Sequence, residues 1–249
     1  MRRLATLLLA LLPFGAAAAE IKVLTAGAFK QVLVAVQPDF ERRTGHRLVI
    51  DNDTAGALQR RIAGGEAFDV VVSSPASLQP LRQSGRIADA APRPLARVGI
   101  GVAVKAGAPQ PRIGTVDEFR QALQDAKAVA MIDPAAGGSS GIYLTQLFER
   151  WGIAPQVRAK AVLVQGGLVA ERLLDGKADL ALHQVSEILA VPGATLVGLL
   201  PAEIQNYTVY AGAMAPQPRD AAAARELLEA LAAPGIESVL RAKGMEAAR

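Results

Sequence analysis

Short apolar runs recur along the chain: IKVLT from Ile21, RLVID from Arg47, DVVVS from Asp69, RVGIGVAV from Arg97, AVAMID from Ala128, KAVLV from Lys160 and DLALH from Asp179. Runs of this length read as buried strands, and the segments between them carry apolar residues at helical spacing. The clearest is Phe29 to Thr44, where Phe29, Val32, Leu33, Val36 and Phe40 would form one buried face. Pro38 removes a backbone donor there and is expected to kink or split that helix. Leu144, Leu147, Phe148 and Trp151 repeat at i, i+3, i+4 and i+7, which predicts a helix starting near Ser139 or Ser140 and stopping at Gly152. Thr115 and Glu118 have capping-box spacing ahead of a helix from Val116 to about Asp125, and Asp220 to Lys243 reads as two helices broken at Pro234-Gly235. Strand and helix alternating in this way predicts an α/β fold with mostly parallel sheets.

The N-terminus breaks the pattern. In MRRLATLLLALLPFGAAAAE, Arg2 and Arg3 precede an apolar core from Leu4 to Phe14, and small residues then fit a cleavage site near Ala19-Glu20. This is the layout of a secretory signal peptide, with a core too short to span a membrane comfortably. The chain has no cysteine, which excludes disulfides, thiolate metal sites, a cysteine nucleophile and the thiol of a bacterial lipid anchor. The expected product is soluble in a Gram-negative periplasm. Of the formal charge of +4, Arg2 and Arg3 carry two units, leaving +2 on the mature chain with no Lys/Arg stripe. Nucleic acid is therefore not an expected partner.

Pro/Ala segments around Ala90 to Pro94 and Ala215 to Pro218 lie near two extended apolar runs, RVGIGVAVK and NYTVYAGAM. If both runs cross between lobes, the signal peptide is 1–19, lobe one is 20–97 with 211–249, and lobe two is 98–210. Hinge motion is then expected near Arg97 to Val104 and Tyr207 to Ala213.

Four places show a strand running into small residues that open a helix: LTAGAF from Leu24, DNDTAGAL from Asp51, DPAAGGSSG from Asp133 and VQGGLVAERLL from Val164. In open α/β sheets ligands bind at the carboxyl ends of strands, where such turns converge. Helix N-termini aimed at one cleft would hold an anion with backbone N–H groups, and Thr54, Ser139 and Ser140 would add hydroxyl donors. Each loop taken alone equally suits an ordinary turn glycine or a serine N-cap.

Taken together, LTAGAF, TGHRLVIDNDTAGALQRRIAGGEAFDVVVSS, IDPAAGGSSGIY and GKADLALHQ resemble, in order and spacing, the landmarks of periplasmic molybdate-binding proteins of ABC importers. The resemblance covers nearly the whole mature chain. It implies the type II periplasmic binding-protein fold: two α/β lobes, two crossing strands, and a ligand clamped between them for an ABC permease in the inner membrane. The loops and the resemblance together single out Ala28, Phe29, Lys30, Thr54, Ala55, Ser139, Ser140, Gly141, Gly166, Gly167, His183 and Gln184 as ligand-binding candidates. Where the family presents serines in its first two loops this chain has Ala28 and Ala55, and Gln184, preceded by His183, stands where a tyrosine is expected. With two hydroxyls missing, a small organic anion is expected ahead of a molybdate- or tungstate-type oxyanion.

Other residues add little chemistry. His46 lies in a polar turn and is expected at the surface; His183, at a strand end, is either a donor to a carboxylate or structural. Lys30 sits in the first turn of a helix, where a cation opposes the dipole, so it either meets a ligand charge or is simply solvated. Ser139, Ser140, His183 and Asp133 invite a hydrolase reading, yet the G-x-S-x-G elbow is absent and no carboxylate is fixed beside His183 by sequence. Two distant histidines make no recognisable metal site, and no cofactor is expected. The expectation is a monomeric, non-enzymatic solute-binding protein. A periplasmic ligand-sensing subunit and an enzyme on a related two-lobe fold remain alternatives.

Overall fold

A computed structural model describes residues 18–88 and 90–248; the signal-peptide expectation falls largely on 1–17, outside the described residues. The strands are β1 (Glu20–Ala26), β2 (Arg47–Asp53), β3 (Val70–Ser73), β4 (Arg93–Val98), β5 (Ile100–Lys105), β6 (Val129–Ile132), β7 (Ala161–Val164), β8 (Leu180–Gln184), β9 (Ala194–Leu199), β10 (Thr208–Met214) and β11 (Glu246–Ala247). The α-helices are α1 (Gly27–Thr44), α2 (Ala55–Ala63), α3 (Pro75–Gln83), α4 (Val116–Asp125), α5 (Ser139–Arg150), α6 (Ala154–Arg158), α7 (Glu171–Leu174), α8 (Val185–Ile188), α9 (Ala221–Leu231) and α10 (Glu237–Ala242).

The strands form two sheets, ordered β11-β4-β10-β3-β1-β2 and β7-β6-β8-β5-β9. At the heart of the first, β1 pairs in parallel with β2 and β3, and in the second β6 pairs in parallel with β7 and β8. The four residues of β3 and of β6 are all buried, which explains why VVVS and VAMI show no alternation: both faces of these strands are covered. The sheets are mixed and not mostly parallel as expected: five of the nine pairings among the described residues are antiparallel, because β4, β5 and β10, which carry the chain into or out of each sheet, run against their neighbours.

The run RVGIGVAV is in fact two strands in two sheets, parted at Gly99. A Cβ on Gly99 would lie 3.1 Å from Gln205 Nε2. The Gln205 side chain accepts from the Ile100 N–H and donates to the Ile100 carbonyl, both at 2.9 Å, so it ties the first crossing to the second.

Local signals mostly hold, with three corrections. Pro38 neither splits nor ends α1, which runs unbroken to Thr44; Pro38 and Val34 are exposed, so water can meet the carbonyl that the missing donor leaves free. The capping box at Thr115 and Glu118 forms, whereas α5 takes Gly138 and not a serine as N-cap. His46 is not a surface residue: it is 6 % exposed, its ring centroid lies 6.4 Å from that of Phe40, and its Nδ1 accepts from the Ala19 N–H at 3.1 Å. The turn after α1 folds this ring back over the helix instead of leaving it in solvent.

Each sheet has its own apolar core, with a side chain from α8 as an exception. Val185 of α8 packs into the core of the first sheet, although α8 directly follows β8 of the second. This short helix therefore reaches from one lobe onto α1 of the other.

Candidate functional site

Helix α1 follows β1 directly, α2 follows β2 after Thr54, and α5 follows β6 through a short turn, so three helix starts meet between the sheets. They border a cavity of about 30 Å³, room for about one water. Of the twelve residues singled out from sequence, Ala28, Thr54, Ala55, Ser139, Ser140, Gly167, His183 and Gln184 line it. Phe29, Lys30, Gly141 and Gly166 lie outside the lining. Phe29 is core and faces the Tyr210 ring at 6.4 Å. Gly141 is needed for packing, since a Cβ there would lie 2.3 Å from the Ile132 carbonyl oxygen. The fourth loop is not a helix start: Gly166 and Gly167 form a bend, and α7 begins only at Glu171 and lasts one turn.

The lobes touch through α2 and the turn before α5. Gly56 N–H donates to the Gly137 carbonyl at 3.0 Å. A Cβ on Gly56 would lie 2.8 Å from the Gly137 Cα, so only glycine permits this approach. The Thr54 hydroxyl caps α2 by accepting from the Ala57 N–H at 3.1 Å, and it donates across the cleft to the Ala136 carbonyl. It is thus committed to holding the lobes together.

The chemistry lies on the opposite wall. His183 Nε2 sits 3.2 Å from Glu187 Oε2, and the two residues are 2 % and 7 % exposed. Burial holds the imidazole down to about 3 and pushes the Glu187 carboxyl up to about 8. Near neutral pH the pair is a neutral imidazole beside a protonated carboxyl. Tyr210, which also lines the cavity, is raised first by burial and then by the nearby Glu187. Glu187 Oε1 rests on the start of α1, where a Cβ on Gly27 would lie 2.5 Å from it. His183 Nδ1 and Gln184 Oε1 are buried without a partner among the described residues, while Gln184 Nε2 donates to Thr208 Oγ1 at 2.9 Å. Such an arrangement can hold an anion on backbone N–H groups and offer it both an acid and a base.

Sequence reasoning missed Glu187, Tyr210, Asn52 and Asp53 among the lining residues. The usable signal was the spacing HQVSE, which puts a carboxylate one helical turn beyond a strand-end histidine.

Two α/β lobes, crossing strands and a cleft of helix N-termini define the two-lobed periplasmic binding-protein fold. The chain belongs to the bacterial extracellular solute-binding protein family, which it matches over residues 21–246. It is 36% identical over 251 residues to an aconitate isomerase of Pseudomonas sp, an alignment covering 98% of this chain and 94% of that protein. Among solved structures, the periplasmic molybdate-binding protein of Azotobacter vinelandii superposes with a TM-score of 0.76 at 21% identity, over 92% of this chain and 100% of that one. The sulfate-binding protein of Mycobacterium tuberculosis gives a TM-score of 0.72 at 15% identity, over 91% and 86%. At these identities the structural likeness speaks for the fold.

Proposed function

We propose that this protein captures a small unsaturated polycarboxylate of the aconitate type between its lobes and isomerises it by moving a proton. The observation that carries this reading is the buried Glu187–His183 pair on the wall of the inter-lobe cavity. Holding an anion calls for donors alone, whereas moving a proton calls for an acid and a base side by side, and the desolvated carboxyl and imidazole 3.2 Å apart supply such a pair. The 36% identical aconitate isomerase supports the same reading.

The chemistry requires no cofactor. Aconitate carries a methylene flanked by a carboxylate and a carbon–carbon double bond, so removing one methylene proton leaves a carbanion delocalised over the three-carbon frame. Returning a proton at the former vinyl carbon moves the double bond and can change its geometry. One C–H bond breaks, another forms, and nothing is oxidised or reduced. The neutral His183 is the candidate base and the protonated Glu187 the candidate acid, while the starts of α1, α2 and α5 hold the carboxylates. The closed cavity of about 30 Å³ is too small for such a ligand. Loading therefore requires the Gly56–Gly137 contact to part. An open cavity of about 590 Å³, lined by Gly56, Gly137, Ala55 and Ser139, lies ready to merge with it. Hinge motion at the two crossings, export to the periplasm without a lipid anchor, and a monomeric state complete the proposal.

The second reading is the sequence-based one: a receptor that delivers an anion to an ABC permease. The family and the oxyanion-binding proteins that share the fold favour it. Incubation with cis- or trans-aconitate, followed by proton NMR, separates the two. The isomerase reading expects either isomer to reach the same final mixture. Saturable binding with both isomers unchanged would leave the receptor reading in its place.

A further inference from the structure

Glu187 does something at this cleft that neither a receptor nor an isomerase requires in itself. It sits on α8 of the second lobe, but its Oε1 lies against Gly27, the first residue of α1 in the other lobe. Helix α1 is 18 residues long, its N-cap Ala26 has no side-chain capping bond, and its first turn holds no acidic residue. The N-terminal N–H groups of a long helix are thus left uncapped by any side chain of their own element, with the Glu187 carboxyl beside them.

Among the described residues that line the cavity with Glu187, none is a lysine or arginine that could replace a proton. His183 from β8 faces it, with Nε2 at 3.2 Å from Glu187 Oε2, as a neutral imidazole. Tyr210 from β10 and Asp53 from β2 line the same cavity. Lys30, on α1 itself, lies outside the lining, and Arg61 is engaged with Asp51, Asp53 and Glu66. Two further buried polar atoms on this wall, His183 Nδ1 and Gln184 Oε1, lack partners among the described residues and mark it as built for a ligand.

We propose that the cleft takes up its anion together with one proton, which Glu187 carries as a hydrogen-bond donor to the ligand. An ionised Glu187 would put its charge beside the entering anion, with Asp53 on the same cavity wall. A protonated carboxyl removes that repulsion and supplies the donor that the alanines at positions 28 and 55 do not. By linkage, an anion that binds the protonated form better must raise the proton affinity of Glu187 by the same factor. This inference rests on reading the pocket as an anion cleft, but not on turnover.

The test uses propane-1,2,3-tricarboxylate, which has no double bond to shift, with molybdate as a second probe. Calorimetric titrations run between about pH 7 and 10, where neither probe changes its charge. Parallel titrations in buffers of different ionisation enthalpy count the protons taken up. The expected result is that the Kd of the bound probe rises about tenfold per pH unit once Glu187 ionises, with uptake approaching one proton at the alkaline end. Glu187→Gln, which keeps a donor but cannot ionise, should bind with a flat pH profile and no uptake. A flat wild-type profile overturns the proposal without any variant, as does a slope that survives in folded Glu187→Gln. Binding of neither probe overturns it together with the anion cleft. Proton-coupled binding without aconitate turnover leaves it standing and removes only the isomerase reading.

Discussion

Glu66 and Glu187 are the same residue type in opposite surroundings. Glu66, partly exposed on the first lobe, accepts from Arg61 Nε at 2.6 Å, Arg61 Nη2 at 2.8 Å and Lys22 Nζ at 3.0 Å. Those partners, Arg61 first, hold its carboxyl down to about 2. Glu187 faces a buried imidazole and the uncapped start of α1, and burial pushes it up to about 8. The difference separates a carboxylate that fastens the fold from one that handles protons: the first is saturated with cationic donors, while the second is desolvated and left without them. Arg61 links the two regions, because it also reaches Asp53, a residue of the cavity wall, at 3.4 Å.

Exchanging each glutamate for glutamine should break this symmetry in different observables. Glu187→Gln is expected to lower kcat for aconitate interconversion by roughly 10²–10⁴-fold, the usual worth of a positioned acid or base. Glu66→Gln should leave kcat within about twofold, because its carboxylate holds a surface ion network outside the cavity lining. Steady-state rates by NMR, with circular dichroism to confirm folding, decide between them. Gly56→Ala should come next in size. Its methyl group would meet Gly137 Cα at 2.8 Å, so lobe closure becomes strained by about 1–3 kcal/mol and ligand affinity falls about tenfold or more. Calorimetry and thermal melting should show the loss in binding with each lobe still folded.

Smaller effects concern stability. Glu66→Gln should cost about 1 kcal/mol at neutral pH, reflecting a partly exposed network. Because the folded carboxyl is depressed to about 2, that contribution is present above its ordinary value of 4.5 and is lost as pH falls toward 2. The buried pair acts with two signs. His183, neutral in the fold down to about 3, makes stability rise with pH between about 3 and 6.5. Glu187, protonated in the fold up to about 8, makes stability fall between 4.5 and about 8. The two slopes oppose each other between 4.5 and 6.5, so the melting temperature should decline mainly above that range. In Glu187→Gln the alkaline decline should disappear, and a melting curve series across pH checks it.

Much of this molecule is legible in its sequence, and the exceptions share a cause. VVVS and VAMI announce buried strands because continuous apolar runs leave few alternatives, and the Thr115 to Glu118 box fixes a helix start through local bonds alone. The starts of α1, α2 and α5 are readable for the same reason: small residues at or soon after a strand end. Glu187 is not, because its meaning depends on Gly27, some 160 residues earlier, and on burial between lobes that no local pattern reports. His46 failed similarly, since a polar turn looks solvated until the fold lays it over Phe40. Thr54 was singled out as a ligand donor, but its hydroxyl bonds the opposite lobe.

If Glu187 and His183 act as acid and base, isomerisation at this site moves a proton between two carbons of a ligand held beside them. Aconitate deuterated at its methylene carbon tests it directly when the product isomer is read by NMR. The expected product carries deuterium at its vinyl carbon and hydrogen at its methylene carbon, because the proton shift exchanges the roles of the two carbons. A product isomer with its vinyl hydrogen intact and both deuterons still on the same methylene would contradict it, since that outcome means rotation about the double bond without any proton transfer.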